Sequence, residues 1–314
     1  MGTAIGLVRG VFAQTSTPEI VQPLRTVVRV PGKPSVLGSM PAHVGSPQDG
    51  CFGVKTVVVS PGNSAYGLDT HLGVVTVFDR ATGAPRAVIE AGSVTAIRTA
   101  AASAVATRVL ARDGACDLAV IGSGRQARLH LLALHESMQV RTAAIWGRNQ
   151  EAARALADWA GETFPFAVTV APTVRAAARQ ASIICTVTSS AEALLGRDDV
   201  VPGTHVNAVG ACFPSCRELG ADLVAAARIV VDNAEAARAE AGDLLLAAAE
   251  LGTPPGDLPE LGAVLRGQAR GRCGPDEITV FESLGFAALD VAAASWISAE
   301  ADRLGKGVSV PLDP

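Results

Sequence analysis

Residues 117–128 read Asp-Leu-Ala-Val-Ile-Gly-Ser-Gly-Arg-Gln-Ala-Arg, an apolar run that passes through two glycines into an amphipathic segment. The run Leu118–Ile121 has the length of a buried strand, and Arg125–Met138 has the apolar spacing of a helix. A strand that leads through such a turn into a helix is the context in which a Gly-x-Gly-x-x-Ala pattern predicts a phosphate-binding loop.

Each position of this pattern has a physical role. Gly122 allows the tight turn, Gly124 lets a pyrophosphate approach the backbone, and Ala127 still permits close packing of the helix on the strand. The helix N-terminus offers N–H groups and a positive partial charge to phosphate. We therefore predict a dinucleotide site here, with a purely structural glycine turn as the alternative. The predicted loop consists of Gly122, Ser123, Gly124, Arg125, Gln126 and Ala127.

The chain after residue 117 alternates between strand and helix patterns. This βαβ order predicts an α/β fold with a doubly wound parallel sheet of the Rossmann type, covered by helices on both faces. The further predicted strands are Thr142–Trp146, Ser182–Val187, His205–Val209, Arg228–Val231 and Ile278–Phe281, and the further predicted helices are Gln150–Trp159 and Phe286–Arg303.

The part before residue 92 has a different pattern. Runs rich in β-branched residues at Arg25–Val30, Gly53–Val59 and Val74–Phe78 are separated by turn-forming clusters. Strands that follow one another without long helical patterns predict a mostly antiparallel sheet. Ser93 is a suitable N-cap for a helix that runs to about Arg112.

The bulk composition excludes several classes of protein. Hydrophobic residues make up 49% of the chain and charged residues 18%, which excludes an intrinsically disordered chain. The formal charge is −4 and no polybasic run occurs, so we predict no nucleic-acid partner. No apolar stretch reaches the length of a membrane span, so we predict no membrane partner.

The N-terminus and the cysteines bear on the compartment. No long apolar region with a cleavage site occurs near Met1, so the segment does not resemble a signal peptide. The six cysteines include no Cys-x-x-Cys pair and no cluster with metal-ligand spacing. We predict reduced thiols, no metal and a cytoplasmic location.

The end of the second strand of the βαβ unit indicates which nicotinamide cofactor is preferred. Sites that prefer NAD have an acidic residue there, which binds the ribose hydroxyls. This chain has Trp146-Gly-Arg-Asn149 instead. Arg148 can pair with a 2′-phosphate, which favours NADP(H) over NAD(H), although a solvent-facing arginine and dual cofactor use are alternatives.

Several segments together resemble the ornithine cyclodeaminase/mu-crystallin family. They occur in the family's order and span nearly the whole chain. Val21–Val28 and the pair Trp146 and Arg148 are most similar to the mu-crystallin branch, whose members are ketimine reductases. The segments are Val21–Val28, Gly38–Ala42, Val54–Lys55, Thr95–Thr107, Gly122–Ala127, Val206–Gly210, Arg217–Leu219 and Ser283–Gly285.

The resemblance implies a Rossmann domain inserted into a second, α+β domain that binds substrate and forms a homodimer. We place the Rossmann domain at residues 115–287, and the substrate-binding and dimerisation domain at residues 1–114 plus 288–314. The family begins before the residue that corresponds to Met1, so either the dimer platform is shortened or the start codon is misplaced.

The resemblance also implies a set of site residues. Lys55 and Arg98 are the predicted catalytic residues, and with Arg25 they would hold a substrate carboxylate. Met40 and Cys212 would also line the substrate site. The residues that would line the cofactor site are Thr70, His71, Arg98, Thr99, the Gly122–Ala127 loop, Arg148, Asn149, Thr188, Ser189, Val209 and Ser283.

Two departures from the family pattern bear on the reaction. Cys212 stands where members that deaminate ornithine or dehydrogenate alanine have Asp, and Gly38 stands where the cyclodeaminases have Glu. A cyclodeaminase needs a well-placed carboxylate for proton transfer. A reductase of a ready-made cyclic imine mainly needs orientation and a clamp for the substrate carboxylate.

We therefore predict an NAD(P)H-dependent oxidoreductase that acts on a cyclic ketimine carboxylate. It would convert Δ1-pyrroline-2-carboxylate or Δ1-piperideine-2-carboxylate to proline or pipecolate. The first alternative is an ornithine cyclodeaminase or an alanine or other amino-acid dehydrogenase. The second is a non-catalytic, NADP-dependent ligand-binding protein.

Overall fold

The computed structural model describes residues 1–46 and 50–311, in which contacts define two compact units. The antiparallel-sheet unit consists of Ser16–Thr95 and Phe286–Pro314, and the parallel-sheet unit consists of Met1–Thr15 and Ala96–Gly285. Helix α2 (Ala91–Leu110) contains the boundary between Thr95 and Ala96.

The antiparallel-sheet unit contains a six-stranded sheet in the order β1-β3-β4-β5-β6, with β2 also paired to β3. Buried and more exposed residues alternate along β3 and the first half of β4, as expected for strands with one face on a core. The strands are β1 (Ile20–Val21), β2 (Thr26–Arg29), β3 (Val36–Val44), β4 (Cys51–Val59), β5 (His71–Asp79) and β6 (Pro85–Glu90).

Helix α10 (Ala287–Leu304) packs on strands β3 to β6 and covers one face of this sheet. The approach is close, because a Cβ at Gly53 on β4 would lie only 2.8 Å from the side chain of Val291 on α10. The core between helix and sheet includes Met40, Val75 and Ala288, which are all at most 4% exposed. A short 3₁₀ helix, Pro61–Tyr66, connects β4 to β5.

The parallel-sheet unit contains seven parallel strands in the order β12-β13-β11-β10-β7-β8-β9. From β7 the chain first adds strands on one side and then returns to add strands on the other, so the sheet is doubly wound. The strands are β7 (Asp117–Ile121), β8 (Thr142–Trp146), β9 (Ala167–Val170), β10 (Ile183–Thr186), β11 (His205–Ala208), β12 (Arg228–Val231) and β13 (Thr279–Glu282).

The central strands β10, β11 and β13 are buried at every residue, as expected for a parallel sheet covered on both faces, although β11 and β13 also bury polar side chains. The helices of this unit are α1 (Gly2–Gln14), α3 (Arg125–Ser137), α4 (Gln150–Thr163), α5 (Val174–Ala178), α6 (Ala221–Ala226), α7 (Ala234–Glu240), α8 (Gly242–Leu251) and α9 (Leu261–Leu265), with a 3₁₀ turn at Arg197–Asp199.

The sequence interpretation is wrong at the N-terminus, where β-rich structure was expected and the chain forms α1. The buried side chains Ile5, Val8 and Phe12 have helical spacing, and Phe12 meets Phe281 edge-on with ring centroids 6.2 Å apart. Contacts therefore place residues 1–15 in the parallel-sheet unit. They also place residues 96–114 there, which our predicted boundaries assigned to the substrate-binding domain.

The start of α2 differs as well. The helix begins at Ala91 rather than after Ser93, and the carboxylate of Glu90 accepts hydrogen bonds from the amides of Gly92 and Ser93. A carboxylate just before a helix can replace a hydroxyl as the N-terminal cap, because both offer an oxygen to amides without helical partners. The capping residue is therefore Glu90.

Candidate functional site

The turn after β7 lies at the point where the strand order of the parallel sheet reverses, between β7 and β10. Gly122 has φ +133°, and its amide donates to the carbonyl oxygen of Trp146 over 2.7 Å. A Cβ at Gly122 would lie 2.9 Å from the carbonyl oxygen of Val187. Only glycine fits this turn, and crevices at such reversal points are where doubly wound sheets bind nucleotides.

The N-terminus of α3 is suited to an anion. Gly124 is the N-cap residue and provides no side-chain capping hydrogen bond to the helix. Both Gly124 and Arg125 are exposed, and a Cβ at Gly124 would meet no atom within 4 Å. Helix N-terminal amides beside an open glycine can bind a pyrophosphate, so the residues present fit a dinucleotide.

Two predicted cofactor residues, Arg148 and Asn149, follow the end of β8. Arg148 is exposed. The side-chain oxygen of Asn149 accepts hydrogen bonds from the amides of Glu151 and Ala152 at 3.0 and 3.1 Å, so this residue caps α4. These capping hydrogen bonds fix the side chain of Asn149 at the N-terminus of α4.

Glu218 organises the loops that follow β10 and β11. Its carboxylate accepts hydrogen bonds from the amide and hydroxyl of Thr188, both over 2.6 Å, and from the amide of Gly210 over 2.7 Å. Burial raises the pKa of Glu218 above its usual value, although these bonds favour the charged form. The predicted cofactor residues Thr188 and Val209 are thus in loops connected through one carboxylate.

Other predicted residues lie at the same end of the parallel sheet. Ser283 directly follows β13, is 4% exposed, and has a buried hydroxyl without a hydrogen-bond partner among the described residues. Such a hydroxyl can serve a ligand. Cys212 is half-buried beyond β11, and Ser189 is exposed beyond β10.

Arg98 and Thr99 lie on α2 and are each 5% exposed. The guanidinium of Arg98 lies beside Gly285, which has φ +74° and no room for a Cβ. The amide of Gly285 donates to Asp232 over 2.5 Å, which fixes this turn. A chain of contacts therefore runs from Asp232 after β12 to the guanidinium of Arg98.

Three predicted substrate residues come together in the antiparallel-sheet unit. Met40 on β3 pairs with Lys55 on β4. Arg25 directly precedes β2, whose first residue Thr26 pairs with Ser39 on β3. Met40 and Lys55 are therefore register partners, and Arg25 lies one residue before the strand that pairs with β3.

Among the contacts of Lys55 are hydrogen bonds to two side chains of the same unit. Its Nζ donates to Oδ2 of Asp290 over 2.9 Å and to Oγ1 of Thr95 over 3.1 Å. His71 begins β5, and its ring shares a 2.9 Å hydrogen bond with the hydroxyl of Thr70. Desolvation and then the positive charge of Lys55 lower the pKa of His71, although the residue is solvent-accessible.

Sequence reasoning did not identify Glu218, Asp232 or Asp290. The segment Arg217–Leu219 was noted only as a similarity, and no local pattern indicates that Glu218 or Asp232 is buried. Asp290 lies in the apolar stretch Ala287–Ala294, where a single carboxylate is an anomaly that indicates a buried partner. That signal was available and was missed.

The cysteines of the described residues are not clustered for metal binding. Cys51, Cys116, Cys185, Cys216 and Cys273 are free thiols. Burial raises the pKa of Cys185 to about 12, so this thiol is inert. Among the helices of residues 1–46 and 50–311, none has both the length and the apolar character that a membrane crossing requires.

Comparison with known proteins agrees with this architecture. The model of the ornithine cyclodeaminase/mu-crystallin family matches residues 1–304. The ketimine reductase mu-crystallin of Mus musculus is 37% identical over 286 residues, which cover 91% of this chain and 87% of that protein.

Two solved structures have the same fold over nearly their whole length. A Δ1-pyrroline-2-carboxylate reductase from Thermococcus litoralis, in complex with NADH and L-proline, is 30% identical with a TM-score of 0.94 and covers 98% of this chain and 95% of its own. An archaeal alanine dehydrogenase dimer with bound NAD is 28% identical to this chain, with a TM-score of 0.92. The match covers 99% of this chain and 95% of that dehydrogenase. The chain belongs to the ornithine cyclodeaminase/mu-crystallin family.

Proposed function

We propose that this chain is an NAD(P)H-dependent reductase of cyclic ketimine carboxylates. The proposed reaction converts Δ1-pyrroline-2-carboxylate or Δ1-piperideine-2-carboxylate to proline or pipecolate. The observation that carries the proposal is the 30% identity and TM-score of 0.94 to a Δ1-pyrroline-2-carboxylate reductase over 98% of the chain. Deamination needs a well-placed group for proton transfer. Because this chain has Cys212 where deaminating relatives have a carboxylate, we favour imine reduction over deamination.

In this proposal the parallel-sheet unit binds the cofactor. The Gly122–Ala127 loop and the N-terminus of α3 would hold the pyrophosphate. Thr188, Ser189, Val209 and Ser283 would line the nicotinamide end. When bound, the reduced nicotinamide supplies a hydride, which the substrate accepts at C2 while its ring nitrogen carries the balancing proton.

Arg148 supports NADPH as the preferred cofactor. It is exposed at the end of β8, and Gly147 and Asn149 beside it carry no charge that would repel a 2′-phosphate. An arginine binds phosphate through a charge-assisted, bidentate contact. We therefore infer that NADPH binds more tightly than NADH.

The substrate carboxylate would be bound by cations. Lys55 and Arg98 are the proposed catalytic residues, because they would orient the imine for hydride transfer, and Arg25 would add a third contact. Arginine offers a planar pair of donors and lysine a point charge, so together they suit a carboxylate. Met40 would provide an apolar contact for the ring.

A homodimer is part of the proposal, because the outer face of the antiparallel sheet is apolar. Leu37, Val58 and Leu72 are opposite one another on β3, β4 and β5, and each is at least 38% exposed. Exposed apolar surface of this extent marks an interaction site. The archaeal relative is a dimer, so the proposed occupant is a second copy of this chain.

The reaction is tested by following oxidation of NADPH and of NADH with both cyclic imines, with pyruvate plus ammonia, and in reverse with ornithine. We expect turnover with at least one cyclic imine. It should be lost in Lys55→Ala and Arg98→Ala and retained in Lys33→Ala, which removes an exposed lysine. Ammonia release from ornithine without imine reduction would contradict the proposal.

The dimer is tested separately by sedimentation of the wild type and of Val58→Lys. A charge in the centre of the apolar face should give a monomer. Val308→Lys is the control, since Val308 is 90% exposed in the C-terminal segment and lies outside the sheet. A monomeric wild type would refute the dimer without affecting the proposed reaction.

A further inference from the structure

The ion pair between Lys55 and Asp290 is buried on both sides. The side chains are 5% and 0% exposed, and Nζ lies 2.9 Å from Oδ2. Removing two charges from water costs several kcal/mol, which only good geometry and additional hydrogen bonds recover. A buried pair of this kind is therefore weak evidence of stabilisation, but it does hold the two charged groups against each other.

The surroundings of Lys55 disfavour a lone ammonium. Met40 and Val75 are its register partners on β3 and β5, and they are 4% and 0% exposed. In such apolar surroundings the neutral amine is favoured, because burial penalises the charged form. Asp290 places a carboxylate oxygen 2.9 Å from Nζ, where it can act as a counter-charge for the ammonium form.

The position of Asp290 in α10 favours its own charged form. It lies in the first turn of this 18-residue helix, where the positive end of the helix dipole stabilises a carboxylate. Close packing of α10 on β4, which Gly53 permits, brings this turn to Lys55. The packing of α10 on the sheet thus places the carboxylate of Asp290 against Lys55 on β4.

We propose that Asp290 is a positioning residue: it keeps Lys55 as an ammonium ion and fixes the direction of Nζ, so that Lys55 can bind the substrate carboxylate. This inference rests on the proposed function, because it assumes that Lys55 contacts the substrate. It assigns a role in the reaction to a residue of the C-terminal helix.

Within residues 1–46 and 50–311, the groups near Lys55 include one from each of three elements. Asp290 faces it from α10 and Thr95 from α2, while His71 of β5 interacts with it through space. Thr95 carries no charge, and a protonated His71 would lower the lysine pKa. Asp290 is therefore the group among these whose charge favours the ammonium form of Lys55.

The first test measures the charge of Lys55 without catalysis. The sequence contains three lysines, Lys33, Lys55 and Lys306, and Lys33 and Lys306 are exposed. Carbon-13 labelling of the lysine ε-carbons gives three signals that can be titrated by NMR in the intact protein. In the wild type we expect Lys55 to titrate at or above the pH of the exposed lysines.

The second arm uses Asp290→Asn, which keeps the shape and a hydrogen-bond acceptor but removes the charge. We expect the pKa of Lys55 to fall by about one unit or more, as for a buried cation without a counter-charge. Asp302→Asn removes an exposed carboxylate from the same helix and should leave the Lys55 signal unchanged. A Lys55 pKa that is already far below that of Lys33 in the wild type would overturn the proposal, even if the variant does not fold.

The third arm separates positioning from a structural role. In Asp290→Asn, the KM for the imine should rise about tenfold at alkaline pH and recover at acidic pH, where Lys55 regains its proton; one pH unit corresponds to a factor of ten. A purely structural defect would lower kcat to the same extent at every pH and leave KM unchanged. That result would overturn the proposal.

The outcomes distinguish this inference from the proposed function. If the wild type reduces cyclic imines but the Lys55 titration does not respond to Asp290→Asn, only the positioning role is lost. If the titration responds but the wild type reduces no cyclic imine, the proposed function is lost, and with it the role of the pair in binding substrate.

Discussion

The guanidinium of Arg98 lies beside the Cα of Gly285, in the space that any side chain at position 285 would need. Gly285 also has φ +74°, a conformation that strains other residues. Its amide is bonded to Asp232. The turn after β13 thus fixes the place of an arginine that we assign to substrate binding.

Gly285→Ala should therefore lower kcat/KM for the imine by about a hundredfold, as displacement of an orienting group by about 1 Å can do. The strained φ should also cost about 1–3 kcal/mol of unfolding free energy. Steady-state kinetics and urea unfolding measure both effects.

Gly267→Ala is the matched control for this variant. Gly267 has φ +69°, but a Cβ there would meet nothing within 4 Å. It should therefore lose a similar stability and keep its kcat/KM. Equal kinetic losses in both variants would mean that displacement of Arg98 does not affect the reaction.

Arg148→Asp should reverse the cofactor preference. An aspartate would repel the 2′-phosphate of NADPH and accept hydrogen bonds from the ribose hydroxyls of NADH. Loss of one charged hydrogen bond of about 1.5–3 kcal/mol raises the KM for NADPH by a factor of about ten to a hundred. Steady-state kinetics with both cofactors provide the measurement.

Arg154→Ala, an exposed arginine on the neighbouring helix α4, should leave the ratio of the two KM values unchanged. If Arg148→Asp also leaves the ratio unchanged, the arginine does not contact the phosphate.

The stability of the parallel-sheet unit should fall as the pH falls below about 6.5, because two histidines are buried as neutral rings. Burial lowers the pKa of His130 to about 4 and that of His205 to about 3. In the unfolded chain these groups take up a proton near pH 6.5, whereas the folded state does not. The unfolded state thus binds more protons, and the folded state loses stability between pH 6.5 and about 4 or 3.

For His130 the difference of about 2.5 units corresponds to about 3 kcal/mol. His130→Gln should flatten this part of the stability profile, measured by urea unfolding between pH 4 and 7. His135→Gln changes an exposed histidine on the same helix, α3, and should retain the wild-type slope. A wild-type slope in His130→Gln would contradict the assignment.

Asp243 should produce the opposite dependence on pH. Burial and the nearby charge of Glu218 raise the pKa of Asp243 to about 7. Hydrogen bonds from the amides of Glu218 and Leu219 act in the opposite direction and lower it. Between about pH 4 and 7 the folded state keeps a proton that the unfolded chain has lost. The stability that Asp243 contributes is therefore fully present below about pH 4 and is lost as the pH rises to about 7.

Asp243→Asn removes this titration, so the variant should gain stability relative to the wild type between pH 5 and pH 8. Asp257→Asn, at an exposed position, should show no such trend. Chemical unfolding at the two pH values measures the difference, and a constant offset would show that Asp243 does not titrate in this range.

Local patterns predicted the parallel sheet well. Strands β8 and β12 have the predicted bounds, and α3 begins at the predicted residue. Each of these elements carries its own signal: an apolar run for a strand, or helical spacing after a glycine turn. The α/β fold with a separate antiparallel sheet was likewise predicted.

The contacts that build the site could not be predicted in the same way. Asp290 is 235 residues from Lys55, and Glu218 is 30 residues from Thr188. Such pairs depend on tertiary packing, which periodicity does not encode. Helix α1 was missed because no cap or stop signal marks its ends, although its buried side chains repeat with helical spacing.

The antiparallel-sheet unit is built from two separate segments of the chain, which has a consequence for biosynthesis. Its six strands leave the ribosome before the parallel sheet, while α10, which covers their apolar inner face, is synthesised only after that sheet. During that interval Met40, Val75 and Val77 lack their covering helix, and exposed strands of this kind are prone to aggregate. A nascent chain that stops before Ala287 should therefore depend on chaperones or be degraded, whereas the parallel sheet can begin to fold on the ribosome.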